Sequence, residues 1–274
     1  MPKKLLSPAR PLWTDIVRPA TVTLITGYKG KGKSALAYYL VENVASTFHL
    51  RPIIVELPVR GLVPADYLIT TLDEALTVND AVVLVDEGTT KLPAGRAMDE
   101  FIKACSSLSR QRNQVLIFVF HTSRDVGSKA LRGIDAVVCK QPSGRQIRYG
   151  SKDPWFRSLM EEAMAAFKTI PEGERTKFAY VDSEDPDYRG MMANGLPTFW
   201  SEELSTAWAN QEGSLASNVI SQLEVQSNVV RGEGLTCCIC KKPTDKLVSD
   251  TCEACFNQWA TSAKRATAGS ARGK

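Results

Sequence analysis

No apolar stretch in this 274-residue chain approaches the ~18 or more residues that a membrane-spanning helix requires. Apolar runs such as Ala81–Val85 and Val115–Phe120 have the length of strands. The opening Met1-Pro2-Lys3-Lys4-Leu5-Leu6-Ser7-Pro8 carries charge but only two leucines before a proline, so it does not read as a signal peptide and a cytoplasmic protein is expected. An excess of one charge is missing too: 34 Lys and Arg stand against 30 Asp and Glu, a formal net charge of +4. No internal repeat is visible. What remains is a globular balance of 43% hydrophobic and 23% charged residues, incompatible with global disorder or a fibrous fold. A chain of this length holds one full-sized core plus a modest appendage, and buries roughly 70% of its extended-chain surface.

Charge and cysteine are unevenly placed. Residues 233–274 hold seven Lys and Arg against four acids, whereas the remainder is nearly balanced at 27 against 26, so the C-terminal end is the basic part. Of seven cysteines, five lie between positions 237 and 255. In a chain without an export signal, metal binding is the expected use rather than a disulfide framework.

Strand and helix patterns alternate through the first 140 residues. Apolar, β-branched runs at Thr21–Thr26, Pro52–Glu56, Ala81–Val85, Val115–Phe120 and Ala136–Cys139 read as strands. They are continuous rather than alternating, as in a parallel sheet covered by helices on both faces. Lys33–Leu50 fits a helix, and so does Ala94–Arg112, whose Met98, Phe101, Ile102, Cys105 and Leu108 recur at helical spacing. The expected fold is α/β, a three-layer sandwich with a mainly parallel sheet. Further on, a helix at Trp155–Phe167, a strand at Lys177–Val181 and a helix opening at Ser201, with Glu202 and Glu203 in its first turn, extend the same domain. The expected organisation is a domain over 1–212, a Ser/Asn/Gln-rich linker over 213–232, a cysteine module over 233–262 and a basic disordered tail over 263–274.

Gly27-Tyr28-Lys29-Gly30-Lys31-Gly32-Lys33-Ser34, followed by Ala35, matches G-x-x-x-x-G-K-[ST] and lies between a buried strand and a helix start. Glycines let successive backbone N–H groups curl around a phosphate, and the helix N-terminus adds partial positive charge. Lys33 is then the contact to the β- and γ-phosphates of ATP, and the Ser34 hydroxyl a ligand for Mg²⁺. Lys29 and Lys31 are either extra charges at that site or solvated lysines. Val82-Val83-Leu84-Val85-Asp86-Glu87 has the form of a Walker B strand end: Asp86 would hold the Mg²⁺ shell and Glu87 would activate the attacking water, which favours hydrolysis over transfer to a small acceptor. His121-Thr122-Ser123-Arg124 ends the fourth strand at the carboxyl edge of the sheet, making His121 a candidate γ-phosphate sensor, with a structural capping role as the alternative. Arg110 and Arg112 close the preceding helix. They are candidates, with Arg124, for stabilising the γ-phosphate, one of them as an arginine finger across a subunit boundary, or else ordinary helix C-terminal charges.

Together the glycine loop, the Asp86-Glu87 strand end, the arginine-ended helix and the polar end of the fourth strand resemble the FtsK/HerA superfamily of DNA-pumping ATPases. Within it the compact size is most similar to the genome-packaging ATPases of icosahedral viruses with an internal membrane. The resemblance spans Thr21 to Cys139. It implies a RecA-like core assembled as a homo-oligomeric ring, with ATP sites between subunits, that drives double-stranded DNA through its centre in the host cytoplasm or the virion. His121 departs from the glutamine usual at the sensor position of that family. The zonular-occludens-toxin-like assembly ATPases of filamentous phages share these motifs but normally carry a membrane span that is not legible here. A small-molecule kinase would need a lid and an acceptor pocket, and residues 140–212 offer no motif for either. A nucleotide-dependent switch or adaptor is the non-motor alternative.

Cys237-Cys238-Ile239-Cys240 and Cys252-Glu253-Ala254-Cys255 form two C-x-x-C pairs separated by eleven residues, the spacing of a four-thiolate Zn²⁺ site built from Cys237, Cys240, Cys252 and Cys255, with Cys238 as the alternative to Cys237 that the two-residue gap disfavours. Such a zinc ribbon is structural, since four thiolates leave no open coordination position. Phe256 and Trp259 with Lys241, Lys242, Lys246, Lys264 and Arg265 suggest a docking surface for nucleic acid or for capsid or portal-vertex proteins, against the plainer reading of a fold-stabilising knob. Cys105 and Cys139 read as small buried apolar residues.

Overall fold

The computed structural model describes residues 11–59, 61–86, 96–120, 131–149, 153–207, 229–236 and 243–248. The chain divides into two compact units, 1–208 and 209–274.

The first unit runs α1 (Trp13–Ile16), β1 (Val22–Thr26), α2 (Lys33–Phe48), β2 (Arg51–Val55), β3 (Leu68–Thr70), α3 (Leu72–Ala75), β4 (Ala81–Val85), α4 (Arg96–Arg112), β5 (Val115–Val119) and β6 (Ala136–Cys139). It continues with α5 (Gly144–Tyr149), α6 (Pro154–Lys168), a 3₁₀ turn (Glu172–Lys177), β7 (Phe178–Ser183), β8 (Tyr188–Ala193) and α7 (Glu202–Thr206). Eight strands form one sheet in the order β3-β2-β4-β5-β1-β6-β7-β8. The first six are mutually parallel, and β7 and β8 add antiparallel at one edge. The expected α/β fold with a mainly parallel sheet is therefore present, in mixed form.

The continuous apolar runs have the cause inferred from the sequence. In β4, Val83 and Val85 enter the cluster on one face with Met98, Ile102, Phe156 and Phe167, while Val82 and Leu84 enter the other with Leu36, Leu40, Val41 and Val44. Each fully buried Val, Leu or Phe contributes roughly 1.5–3 kcal/mol relative to exposure, so both layers hold the sheet. Helix starts follow local rules: the Asp153 carboxylate accepts from the Phe156 N–H at 3.0 Å with Pro154 just inside α6, and the Ser201 hydroxyl oxygen accepts from the Leu204 N–H at 3.1 Å before α7. Cys105 and Cys139 are buried, and desolvation pushes both thiols up to about 12, which makes them inert core residues.

Two strands are not evident from the sequence pattern. β3 is a three-residue edge strand, and β8 contains Gly190 and two methionines, weak strand formers that pair with β7 from Phe178↔Ala193 to Ser183↔Tyr188. No helix among the described residues is long and apolar enough to cross a membrane.

In the second unit, β9 (Val229–Thr236) pairs antiparallel with β10 (Pro243–Val248), Thr236 opposite Pro243 and Val229 opposite Val248. β9 thus takes in residues 229–232, which the composition assigned to the linker. Cys237 and Cys240 fall in the connection between the two strands; these residues, with Cys252 and Cys255, lie outside the described residues, and among the described residues no group of His, Cys, Asp and Glu could hold a metal ion.

Candidate functional site

β1 delivers the chain to Gly27 at the carboxyl edge of the sheet, and the loop that follows needs glycine where glycine is found. Gly27 has φ 141°, Gly30 φ 73° and Gly32 φ 79°, a backbone region in which a side chain is strained. Gly32 is also the N-cap of α2. It supplies no side-chain cap, and the first turn of this 16-residue helix contains no acid, so the leading N–H groups and their partial positive charge are left for an anion. A Cβ on Gly30 would meet nothing within 4 Å among the described residues, so the loop is open there.

Lys33 is only 4% exposed, and its ammonium donates to the Tyr28 carbonyl at 3.2 Å, across the loop. Ser34 beside it is half-buried, Ala35 packs into the core, and Tyr28, Lys29 and Gly30 are exposed, with Lys31 half-buried. Asp86 follows β4 and is completely buried, also at the carboxyl edge. β5 lies between β4 and β1, so one strand separates Asp86 from the loop. A buried carboxylate, a buried ammonium, a hydroxyl and three glycines with positive φ suit a triphosphate with a divalent cation: Lys33 and the loop N–H groups would hold phosphate, Ser34 and Asp86 the Mg²⁺.

The floor of the loop is built by residues that no motif marks. Tyr28 N–H donates to the Gln141 carbonyl at 3.1 Å, and the Gln146 side-chain amide donates to the Gly27 carbonyl at 3.0 Å. Gln146 is fixed by a capping box at the start of α5, in which Ser143 N–H donates to Gln146 Oε1 at 3.0 Å and Gln146 N–H donates to Ser143 Oγ at 3.1 Å. The Ser143-x-x-Gln146 spacing is legible in the sequence, but nothing there points it at Gly27.

Lys140 likewise lies outside every motif. Placed directly after β6, it is fully buried; its backbone N–H donates to the Thr26 carbonyl at 2.8 Å, and its Nζ donates to the Thr176 carbonyl at 2.6 Å, the Phe178 carbonyl at 2.7 Å and Asn194 Oδ1 at 2.8 Å. Burial pushes this amine down to about 7, while the three acceptors oppose that shift, because only the ammonium form can donate to all of them. The one signal in the sequence is a lysine capping an all-apolar strand, which the structure sets in register with β1, Cys139 lying opposite Thr26.

The structure sets Arg110 and Arg112 apart from this loop. Arg110 Nη2 stands 4.0 Å from Asp135, whose other carboxylate oxygen accepts from Val22 N–H at the start of β1, and Arg112 bonds the Leu76 carbonyl beside α3. Both mark the amino edge of the sheet, about 16 Å of strand away from the phosphate loop of the same chain. Glu87, His121 and Arg124 lie outside the described residues.

No protein-family model and no curated protein matches the sequence. Among solved structures the chain is similar to the genome packaging NTPase B204 of Sulfolobus turreted icosahedral virus 2 in complex with sulfate, at 16% identity and a TM-score of 0.47, over 65% of this chain and 98% of that one. The complex of the same protein with AMPPCP aligns at 15% identity and a TM-score of 0.44, over 62% and 96%. The crystal structure described as B204, the DNA-packaging ATPase from Sulfolobus turreted icosahedral virus, aligns at 15% identity and a TM-score of 0.45, over 64% and 97%.

Proposed function

We propose that this chain is a P-loop ATPase whose hydrolysis drives movement of double-stranded DNA. The observation that carries the enzymatic half is the pairing of buried Lys33, at a helix start stripped of acids and caps, with fully buried Asp86 at the same sheet edge one strand away. A buried ammonium and a buried carboxylate at one sheet edge suit a magnesium triphosphate, whose phosphates and cation carry the complementary charges.

In this reading Lys33 and the N–H groups of Gly30 to Ser34 bind and orient the phosphates. Ser34 and Asp86 hold Mg²⁺, which when bound supplies charge neutralisation at the β- and γ-oxygens. Glu87, the residue after Asp86, orients the attacking water and takes its proton. His121, two residues past β5 in the sequence, reads the γ-phosphate. Arg110 and Arg112, at the opposite edge, serve as fingers only if they reach the site of a neighbouring subunit, which ties that role to the homo-oligomeric ring. Arg124 is the candidate within the chain.

The polymer is the reading that the motif resemblance implies; B204 is described as a DNA-packaging ATPase, and packaging by the present chain is a proposal. The cysteine module is proposed as a Zn²⁺ ribbon that docks the motor on nucleic acid or on a capsid or portal-vertex protein. One assay tests the whole: the ATPase rate with and without double-stranded DNA, alongside particle mass in solution. A DNA-stimulated rate in a closed oligomer supports the motor. A monomer with slow, DNA-independent hydrolysis contradicts it in favour of a nucleotide switch.

A further inference from the structure

Lys140 raises a question that packing alone does not answer. Its backbone abuts the first glycine of the phosphate loop, since a Cβ on Gly27 would lie 2.6 Å from the Lys140 carbonyl oxygen. Its side chain then runs beneath the loop to the last glycine: a Cβ on Gly32 would lie 3.6 Å from Lys140 Cε and 4.0 Å from Nζ. The ammonium thus stands just behind the N-terminus of α2, completely withdrawn from solvent. The carbonyls of Thr176 and Phe178 need a donor there, but a neutral amide would serve without the several kcal/mol that burying a charge costs. Among the described residues no carboxylate accepts from this nitrogen: its partners are two carbonyls and the amide oxygen of Asn194. A buried cation offset, among the described residues, only by neutral dipoles leaves its charge available to an anion nearby.

We infer that Lys140 is a second cation of the triphosphate site, a positioning residue that acts from behind the loop through Gly32 rather than by touching the phosphates. The inference rests on the triphosphate reading of the loop. Lys33 and Lys140 then flank one loop from its open and closed sides. Their mutual repulsion is relieved when a polyanion occupies the cradle, which makes the loop selective for highly charged nucleotides. Because all three N–H bonds are taken by Thr176, Phe178 and Asn194, the ammonium stays in place whether or not the site is filled. The same bonds tie the loop floor to β7 and the segment after β8.

The test is a charge ladder of ligands on the full chain at pH 6.5 with Mg²⁺: equilibrium binding of ATP, ADP and AMP to wild type, Lys140→Met and Asn194→Asp. Methionine fills most of the lysine volume without charge. Aspartate keeps an acceptor on the ammonium but sets a carboxylate against it, cancelling its field while the tether remains. The expected result is an affinity loss graded with ligand charge, about tenfold for ATP, about threefold for ADP and little for AMP, in both variants. Unchanged ATP affinity in both, or a loss equal for all three nucleotides, overturns the inference and leaves Lys140 a structural tether. If Lys140→Met does not fold, Asn194→Asp alone decides by the same gradient. Failure of the wild-type chain to bind ATP at all is a different outcome, which removes the triphosphate site itself.

Discussion

The carbonyl oxygen of Lys140 occupies the space that a side chain on Gly27 would need: an added Cβ would come within 2.6 Å of it and within 2.9 Å of Lys140 Cβ. The first glycine of the loop is therefore required by β6, the neighbouring strand, as much as by the φ of 141° at this position.

Gly27→Ala is accordingly expected to destabilise the folded chain by about 3 kcal/mol, from backbone strain plus a contact with backbone that cannot yield. Gly30→Ala, at φ 73° but with nothing within 4 Å of the new methyl among the described residues, should cost only about 1 kcal/mol. Urea unfolding of both variants checks the order. Equal losses would mean that Lys140 does not confine Gly27.

The catalytic assignment separates binding from turnover. Glu87→Gln should keep ATP affinity and lower turnover by roughly two to four orders of magnitude, as loss of a general base does. Lys33→Ala should weaken ATP binding by about 10- to 100-fold, the worth of a charge-assisted contact, and turnover with it. Single-turnover hydrolysis beside equilibrium binding distinguishes the two, and appreciable turnover in Glu87→Gln removes its role as base.

Much of this site is legible in the amino-acid sequence. The loop, Asp86 and five parallel strands follow from glycine spacing and from apolar runs whose length and β-branching suit two-sided burial. The rest depends on partners distant along the chain. β8 forms because Met192 buries and β7 offers a ladder, although Gly190 argues against a strand. Lys140 looks like a surface charge after a strand until Thr176, Phe178 and Asn194 close over it. Arg110 shows the converse: the helical pattern places it correctly at the end of α4, but the strand that follows starts from the amino edge, so Arg110 stands 4.0 Å from Asp135 there and not beside the loop.

Buried Lys140 should also leave a pH signature. Its amine titrates near the ordinary ~10.4 when unfolded and is pushed down to about 7 by burial in the folded chain. Between those values the unfolded chain binds the extra proton, so stability rises with pH across the window; below about 7 both states are protonated and the cost of the buried charge is fully present. The three acceptors raise the lower bound. Relative to Lys140→Met, wild type should therefore gain about 1–2 kcal/mol in unfolding free energy from pH 6.5 to pH 9.5. A difference that stays constant with pH would show that Lys140 does not titrate there.

The division of the chain sets where a truncation should fall. A cut at 232 would split β9 (Val229–Thr236), whereas ending the chain at Trp208 removes the second unit whole. The 1–208 chain is expected to keep its thermal midpoint within a few degrees and its ATP affinity, and to bind double-stranded DNA more weakly with a shallower dependence of log K on log salt, by about 0.9 for each lost phosphate contact. An unchanged salt slope would exclude the C-terminal unit from DNA contact.

At the centre of the proposed mechanism, the loop between β1 and α2 grips a nucleoside triphosphate with Lys33 on one side and, through Mg²⁺, Asp86 on the other. Calorimetric titration of ATP into the purified chain with Mg²⁺, repeated on Asp86→Asn, tests this grip most directly. The expected result is saturable binding of one ATP per chain that weakens sharply when Mg²⁺ or the Asp86 carboxylate is removed. Absence of binding by the wild-type chain, or binding indifferent to both, would contradict it.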